Sequence, residues 1–207
     1  MNSYTTVAEH FSTSFTERRS EFISDISPAD SVETAVAFIE QIKSSHKKAS
    51  HVVYAYNIRG GFMKFSDAGE PSGTAGKPVF DVLSENSLID TVLTVTRYFG
   101  GVLLGAGGLT RAYAKAAADA CKGAKRQVFL PSIPIEVSLS YNLYGKVSTY
   151  LASNPDVRTS EPIFAENITL NILALSEKCD EILSNITEIT NGQFEYVLND
   201  EICADFV

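Results

Sequence analysis

Leu88-Ile89-Asp90-Thr91-Val92-Leu93-Thr94-Val95-Thr96-Arg97-Tyr98-Phe99 leads into Gly100-Gly101-Val102-Leu103-Leu104-Gly105-Ala106-Gly107-Gly108 and then into an alanine-rich run from Leu109 to Cys121. The first part is apolar and β-branched, the composition of a buried strand. The last part, with Ala112, Ala114, Ala116, Ala117, Ala118 and Ala120, predicts a helix of little side-chain bulk that can lie close against a sheet. The glycines between them sit where a backbone turns with positive φ or lets another group approach closely. The whole reads as strand, loop, helix.

Working outward, a second glycine-rich block lies upstream: Asp67-Ala68-Gly69-Glu70-Pro71-Ser72-Gly73-Thr74-Ala75-Gly76. A helix from Ala75 or Lys77 to about Leu83 follows it, with Pro78 in its first turn, where a missing N–H costs least. Before it, His51 to Ile58 and Phe62 to Phe65 flank Arg59-Gly60-Gly61 as a β-hairpin. Earlier still, a strand is expected at Glu21 to Ile26. Asp30 with Glu33 then offers a capping box for an amphipathic helix through Val32, Ala35, Val36, Ile39 and Ile42 to about His46. No element is assigned to the polar stretch Met1 to Thr16.

Downstream, Pro131 and Pro134 flank a break in pattern, and Phe129 to Ile133 is read as the join between two domains, 1–130 and 135–207. The second domain reads as strand (135–141), helix (143–154), strand (157–164), strand (167–175), helix (177–190) and strand (193–198). That is the βαββαβ, ferredoxin-like order. Its clearest element is the second helix, with Ser176 as cap, Cys179, Ile182, Leu183, Ile186 and Ile189 along one face, and Asn191-Gly192 as its end. The fold class is α+β in two domains.

Charge divides the chain in the same way. Residues 1–130 hold 14 Lys or Arg against 13 Asp or Glu, whereas residues 131–207 hold 3 against 12. The acidic second domain repels phosphate backbones, so nucleic-acid contact is confined to the first. Cys121, Cys179 and Cys203 form no Cys-x-x-Cys pair and are too few for a disulfide framework, which points to a reducing compartment. The N-terminus lacks the basic start and apolar stretch of a signal peptide, and no segment reaches the roughly 20 apolar residues of a membrane span. A soluble, cytoplasmic protein without membrane contact is the expectation.

Chemistry, if any, lies in the two glycine blocks. The first offers the Ser72 and Thr74 hydroxyls, the Asp67 and Glu70 carboxylates, and backbone N–H groups beside Gly69, Gly73 and Gly76 that could cradle an anion. It is not a P-loop, because Gly76-Lys77 is followed by Pro78, and not a nucleophile elbow, because Pro71 holds the central place. In the second block Arg97 and Arg111 flank Gly100, Gly101, Gly105, Gly107 and Gly108, a site for phosphate or carboxylate that Arg grips bidentately. The dinucleotide fingerprint fails, since Gly105-Ala106-Gly107 meets Thr110 in the sixth place. The bland reading is that the glycines serve turns and that the two arginines pair with Asp67, Glu70 or Asp81. His46 and His51 lack metal-ligand spacing, and no triad geometry is indicated for Ser72. No metal or cofactor is expected.

These same residues carry a family resemblance. Ser66 through Pro78, Thr96-Arg97-Tyr98-Phe99-Gly100-Gly101 and Leu104 through Tyr113 closely resemble the signature of the IMPACT family, in its bacterial, YigZ-like branch. The likeness extends upstream through Ser20-Glu21-Phe22-Ile23, Phe38-Ile39, Lys43, His46, Ala49, His51 and Tyr54-Ala55-Tyr56, and more loosely downstream by element order and Gly192. Ala68 departs from it, standing where many relatives carry an acidic residue. The resemblance implies a first domain with the left-handed β-α-β fold of GHMP kinases, a ribosomal protein domain and domain IV of elongation factor G. It implies a second domain like domain V of that factor. Eukaryotic relatives regulate translation under amino-acid starvation by binding proteins. The expected function is therefore a non-enzymatic regulator that contacts RNA, the ribosome or a protein partner through the first domain's glycine loops, Arg97 and Arg111. The alternative is a protein or enzyme that holds a small phosphate or carboxylate ligand between the same loops, with Asp67 and Glu70 as the nearby carboxylates.

Overall fold

A computed structural model describes residues 1–206. Residue contacts divide the chain into two units, Tyr4–Gln127 and Met1–Ser3 with Val128 onward.

The first unit is built on an antiparallel sheet. Its elements in chain order are β1 (Tyr4–Val7), β2 (Phe11–Glu17), β3 (Ser20–Pro28), α1 (Val32–Ser45), β4 (His51–Ile58), β5 (Phe62–Ser66), α2 (Gly76–Glu85), β6 (Thr91–Tyr98) and α3 (Ala106–Gly123). The sheet order is β2-β3-β6-β4-β5. Every neighbouring pair is antiparallel, so β3 and β4 run parallel on either side of β6, joined by α1.

Alternation along the strands sends side chains to opposite faces. Phe22, Ile26, Val53, Ala55, Leu93 and Val95 meet Val79 and Leu83 of α2 and Leu109, Tyr113, Ala116, Ala117 and Ala120 of α3 in one core. Tyr56, Ile58 and Val92 face the other way, against Ala35 and Ile39 of α1. The alanines of α3 act as expected, letting the helix approach closely; a Cβ on its last residue, Gly123, would lie 2.4 Å from the Phe11 ring.

Two differences from the sequence reading matter here. The N-terminal stretch is not featureless: β2 alternates half-buried Phe11, Thr13 and Phe15 with exposed residues, the pattern of a one-sided edge strand. The α1 cap is Ser31 instead of Asp30. Ser31 Oγ accepts from the Thr34 N–H at 3.1 Å, and Asp30 accepts from the Thr34 hydroxyl.

The second unit has β7 (Arg126–Leu139), α4 (Tyr141–Ser153), β8 (Val157–Thr159), β9 (Ile163–Phe164), β10 (Ile168–Leu175), a 3-10 turn (Ser176–Lys178), α5 (Cys179–Thr190), β11 (Phe194–Leu198) and β12 (Ile202–Asp205). The order β11-β7-β10-β8 is the fourth, first, third and second strand of the βαββαβ plan. Ile135, Val137, Leu139, Ile168, Leu170 and Ile172 pack with Val147 and Leu151 of α4 and with Ile182 and Ile186 of α5.

Phe129–Ile133, read as a join, instead lies within the 14-residue β7, and the division falls at Gln127 and Val128 inside that strand. A proline lacks only the donor, so it can sit in a ladder wherever its N–H is not needed. Pro131 stands opposite Cys203 and Pro134 opposite Leu173, and the Pro134 carbonyl still accepts from the Asn199 N–H. At the far end, α5 stops on Asn191 (φ 50) and Gly192 (φ 75), with the Gly192 N–H returned to Thr187. No helix among the described residues is long and apolar enough to cross a membrane.

Candidate functional site: the two glycine loops

Strand register brings the loops together. His51 on β4 stands opposite Arg97 on β6, and Arg97 opposite Phe22 on β3, so the three share a row at one end of the sheet. The first loop leaves β5 and enters α2; the second leaves β6 and enters α3.

Asp67 holds the first loop. Its Oδ2 accepts from the Gly73 N–H at 2.9 Å, and its Oδ1 from the Ala75 and Gly76 N–H groups at 3.0 and 2.8 Å. A carboxylate nine residues upstream thus caps α2, favourable against the positive end of the helix dipole. Burial pushes the carboxyl up, but the N–H groups of Gly73, Gly76 and Ala75 outweigh it and hold its pKa below the usual value. Gly76 must lack a Cβ, which would lie 2.6 Å from the Ser66 carbonyl carbon. Thr74 is buried and donates to the Pro71 carbonyl, whereas Ser72 is exposed.

Glu70 reaches across to the second loop. Its Oε1 accepts from Arg97 Nη1 at 2.7 Å and from the Tyr113 hydroxyl at 2.8 Å. The Glu70 and Arg97 side chains are only 3% and 6% exposed. Burial first, and then the Glu70 carboxylate, push the Tyr113 phenol above its usual range, so it remains a donor. The Arg97 guanidinium lies between the Phe22 and Phe99 rings, 5.6 and 5.5 Å from their centroids, and its Nη2 reaches Ser20 Oγ at 3.4 Å. Arg97 is therefore internally engaged: of the two arginines that flank the second block, this one is an ion-pair member inside the fold.

His51 completes the floor. Its Nδ1 lies 2.9 Å from the Ala68 carbonyl, which can only accept, so Nδ1 carries the proton and Nε2 faces Glu70 Oε1 at 3.9 Å. Above this floor lies a cleft of about 470 Å³ whose rim includes Phe99, 48% exposed, and Leu103, 81% exposed.

Arg111 behaves differently from Arg97. It is exposed on the first turns of α3 and has no ion pair among the described residues. The helix opens on Gly105 (φ 72), with no side-chain cap, and Ala106, Gly107 and Gly108 add no side chain larger than a methyl to its first turn. Arg111 shares a depression with Arg18, Glu17, Phe15, Gly108 and Lys115; Lys115 also pairs with Asp119.

Arg18 and Arg19 are residues the sequence reading missed. They form the two-residue turn between β2 and β3, bracketed by the Glu17 and Ser20 pair, with φ of 45° and 66°. Two positive φ values define a type I′ hairpin turn, which favours Asn-Gly. Nothing in Glu17-Arg18-Arg19-Ser20 signals that turn, and only its strained backbone draws attention to it. Gly100 accommodates it: a Cβ there would lie 2.0 Å from the Arg19 carbonyl. Gly101 (φ 81) is required for its backbone angle alone, since nothing lies near it. The described residues contain no group of three or more His, Cys, Asp or Glu able to hold a metal ion.

Comparison with known proteins follows this layout. The Impact N-terminal domain model matches residues 18–121, and a domain of unknown function (DUF1949) matches residues 137–193. IMPACT family member YvyE of Bacillus subtilis is 34% identical over 197 residues, 93% of this chain and 89% of that protein. IMPACT family member YigZ of Escherichia coli is 28% identical over 189 residues, covering 89% and 92%. A solved structure described as a hypothetical protein superposes with a TM-score of 0.63 at 26% identity, over 97% of this chain and 98% of its own. On this similarity across both units, the chain belongs to the IMPACT family.

Proposed function

We propose that this chain is a non-enzymatic, translation-associated binding protein whose first unit grips the phosphate backbone of RNA with Arg18, Arg19 and Arg111. The observation that carries the reading is the Arg18-Arg19 turn. Two non-glycine residues in the left-handed region cost about 1–2 kcal/mol each, and what the strain secures is a pair of exposed arginines, of which Arg18 shares a depression with Arg111. None of the three has an ion pair among the described residues. Arginines free of internal partners suit phosphate, which they bind by charge and by paired hydrogen bonds. The carboxylates that an enzymatic reading would use are engaged elsewhere: Asp67 caps a helix and Glu70 neutralises Arg97. The strongly acidic second unit, by the same electrostatics, meets a basic protein surface or sets orientation and does not touch RNA.

Replacing Arg18-Arg19 by Asn-Gly tests this, because it relieves the backbone while removing the charge. The R18N/R19G protein is expected to unfold at higher temperature, yet to bind single-stranded RNA and to co-sediment with ribosomes more weakly. Its plot of log affinity against log salt should flatten by about 0.7 per lost phosphate contact. Unchanged affinity and slope in R18N/R19G and in R111A would refute the phosphate face.

A further inference from the structure

The cleft above His51 and Glu70 has a chemistry that phosphate contact does not use. Both strong bonds to Glu70 converge on Oε1. Its Oε2 has no hydrogen-bond partner among the described residues and is not among the fully buried unpaired atoms, and Glu70 lines the cleft. With Nδ1 of His51 donating to Ala68, neutral His51 presents a lone pair at Nε2, and the side chain is 26% exposed. The floor thus offers two acceptors side by side.

It is also formally neutral, because Arg97 compensates Glu70. At the floor itself a full charge of either sign gains little from the compensated pair, and the two acceptors call for N–H donors, while Arg97 and the start of α3 add donors at the side of the same cleft. A neutral group bearing N–H donors fits. The walls are apolar: Phe99, Leu103, Leu104 and Leu109 line the cleft, while Gly105 and Ala106 bring the uncapped start of α3 to the same space. A flat, neutral ring with two adjacent N–H donors, and an acceptor next to them, matches these features together. Among nucleobases that edge belongs to guanine, through N1–H, N2–H₂ and O6. Uracil, adenine and cytosine each place an acceptor where the second donor is needed.

We propose that the cleft holds one unpaired guanine of single-stranded RNA, its N1–H and N2–H₂ donating to Glu70 Oε2 and His51 Nε2 and its ring packed against Phe99 and Leu103. This rests on the RNA reading above: Arg18, Arg19 and Arg111 hold the backbone while the cleft reads a splayed base, the usual division of labour in RNA recognition.

The test is fluorescence anisotropy with oligouridine, the same oligomer carrying one central guanosine, and a third carrying inosine, which lacks the N2 amine. The guanosine oligomer is expected to bind roughly 5–100-fold more tightly than oligouridine, the range of a bidentate base contact. The inosine oligomer should fall between them. Phe99 is half-exposed but packs on the Arg97 guanidinium, so F99A is checked for an unchanged melting temperature beside L103A, whose side chain is 81% exposed; each should abolish the difference between guanosine and uridine. R18N/R19G should weaken all three oligomers alike and keep the ranking. Equal affinity for the three, or a guanosine preference that survives F99A, overturns the base pocket and leaves the phosphate face standing. Failure of the unmodified protein to bind any oligomer overturns both.

Discussion

Removing the Glu70 carboxylate should destabilise the first unit more than any other single surface-loop change, and the structure gives the reason. Arg97 is 6% exposed on its side chain, and Glu70 is its one ion-pair partner among the described residues. Breaking a buried pair by deleting one partner leaves an uncompensated charge at a cost of about 3–5 kcal/mol. The Tyr113 hydroxyl, bonded to the same oxygen, loses its acceptor and adds about 1 kcal/mol. E70A should therefore cost about 4–6 kcal/mol, which for a unit of this size lowers its melting temperature by roughly 15–20 °C. With two units present, a whole-chain melt mixes transitions, so hydrogen exchange at β6 amides is the cleaner measure. The companion is E70L/R97M, which removes both charges and fills their space with apolar groups. If burial of an unpaired guanidinium is what costs E70A its stability, the double variant recovers most of the loss. A loss below about 1 kcal/mol in E70A, or a double variant as damaged as the sum of its singles, would refute this reasoning.

The remaining predictions are independent of it. Asp67 has a folded-state pKa below its unfolded value, so its contribution is fully present above about pH 4 and is lost as pH falls through the folded pKa. D67N should cost about 1–2 kcal/mol at neutral pH, and acid titration followed by circular dichroism should show a shallower loss as pH falls below about 4 than in the unmodified protein. The adjacent glycines of the second loop should differ under the same substitution, as chemical denaturation of each variant will show. G100A collides with the Arg19 carbonyl and costs about 3 kcal/mol or more, whereas G101A meets open space and costs about 1 kcal/mol from its φ. Among the thiols, burial raises Cys179 and pushes Cys121 up to about 11, while Cys203 is partly exposed. Mass spectrometry after brief native alkylation should find the label on Cys203 first, with Cys121 and Cys179 modified on unfolding.

Much of the scaffold is legible in local pattern. The β-branched run into Tyr98, the alanine-rich α3, the β4–β5 hairpin and the apolar stripe of α5 each announce themselves by period, because burial on one face is a local demand on spacing. The order of strands and helices in the second unit follows in the same way. Misplacements arose where a local signal has two outcomes. Pro131 and Pro134 suggested a break, yet a proline only forbids a donor, and β7 runs through both. Arg18 and Arg19 gave no turn signal, because the hairpin is imposed by the pairing of β2 with β3.

The sequence by itself determined the α+β class, the two-part organisation and the family, and it directed attention to the two glycine loops. Tertiary structure alone decided what the charges in those loops do. Arg97 and Arg111 look alike in sequence, but cross-strand register places Arg97 beside His51 and inside the fold, 27 residues from the carboxylate that neutralises it. Arg111, on the outer side of α3, stays free beside a turn some ninety residues earlier in the chain. Whether a charge is paired depends on which distant strands lie side by side, and register is set by burying whole faces at once, a condition no single stretch of sequence contains.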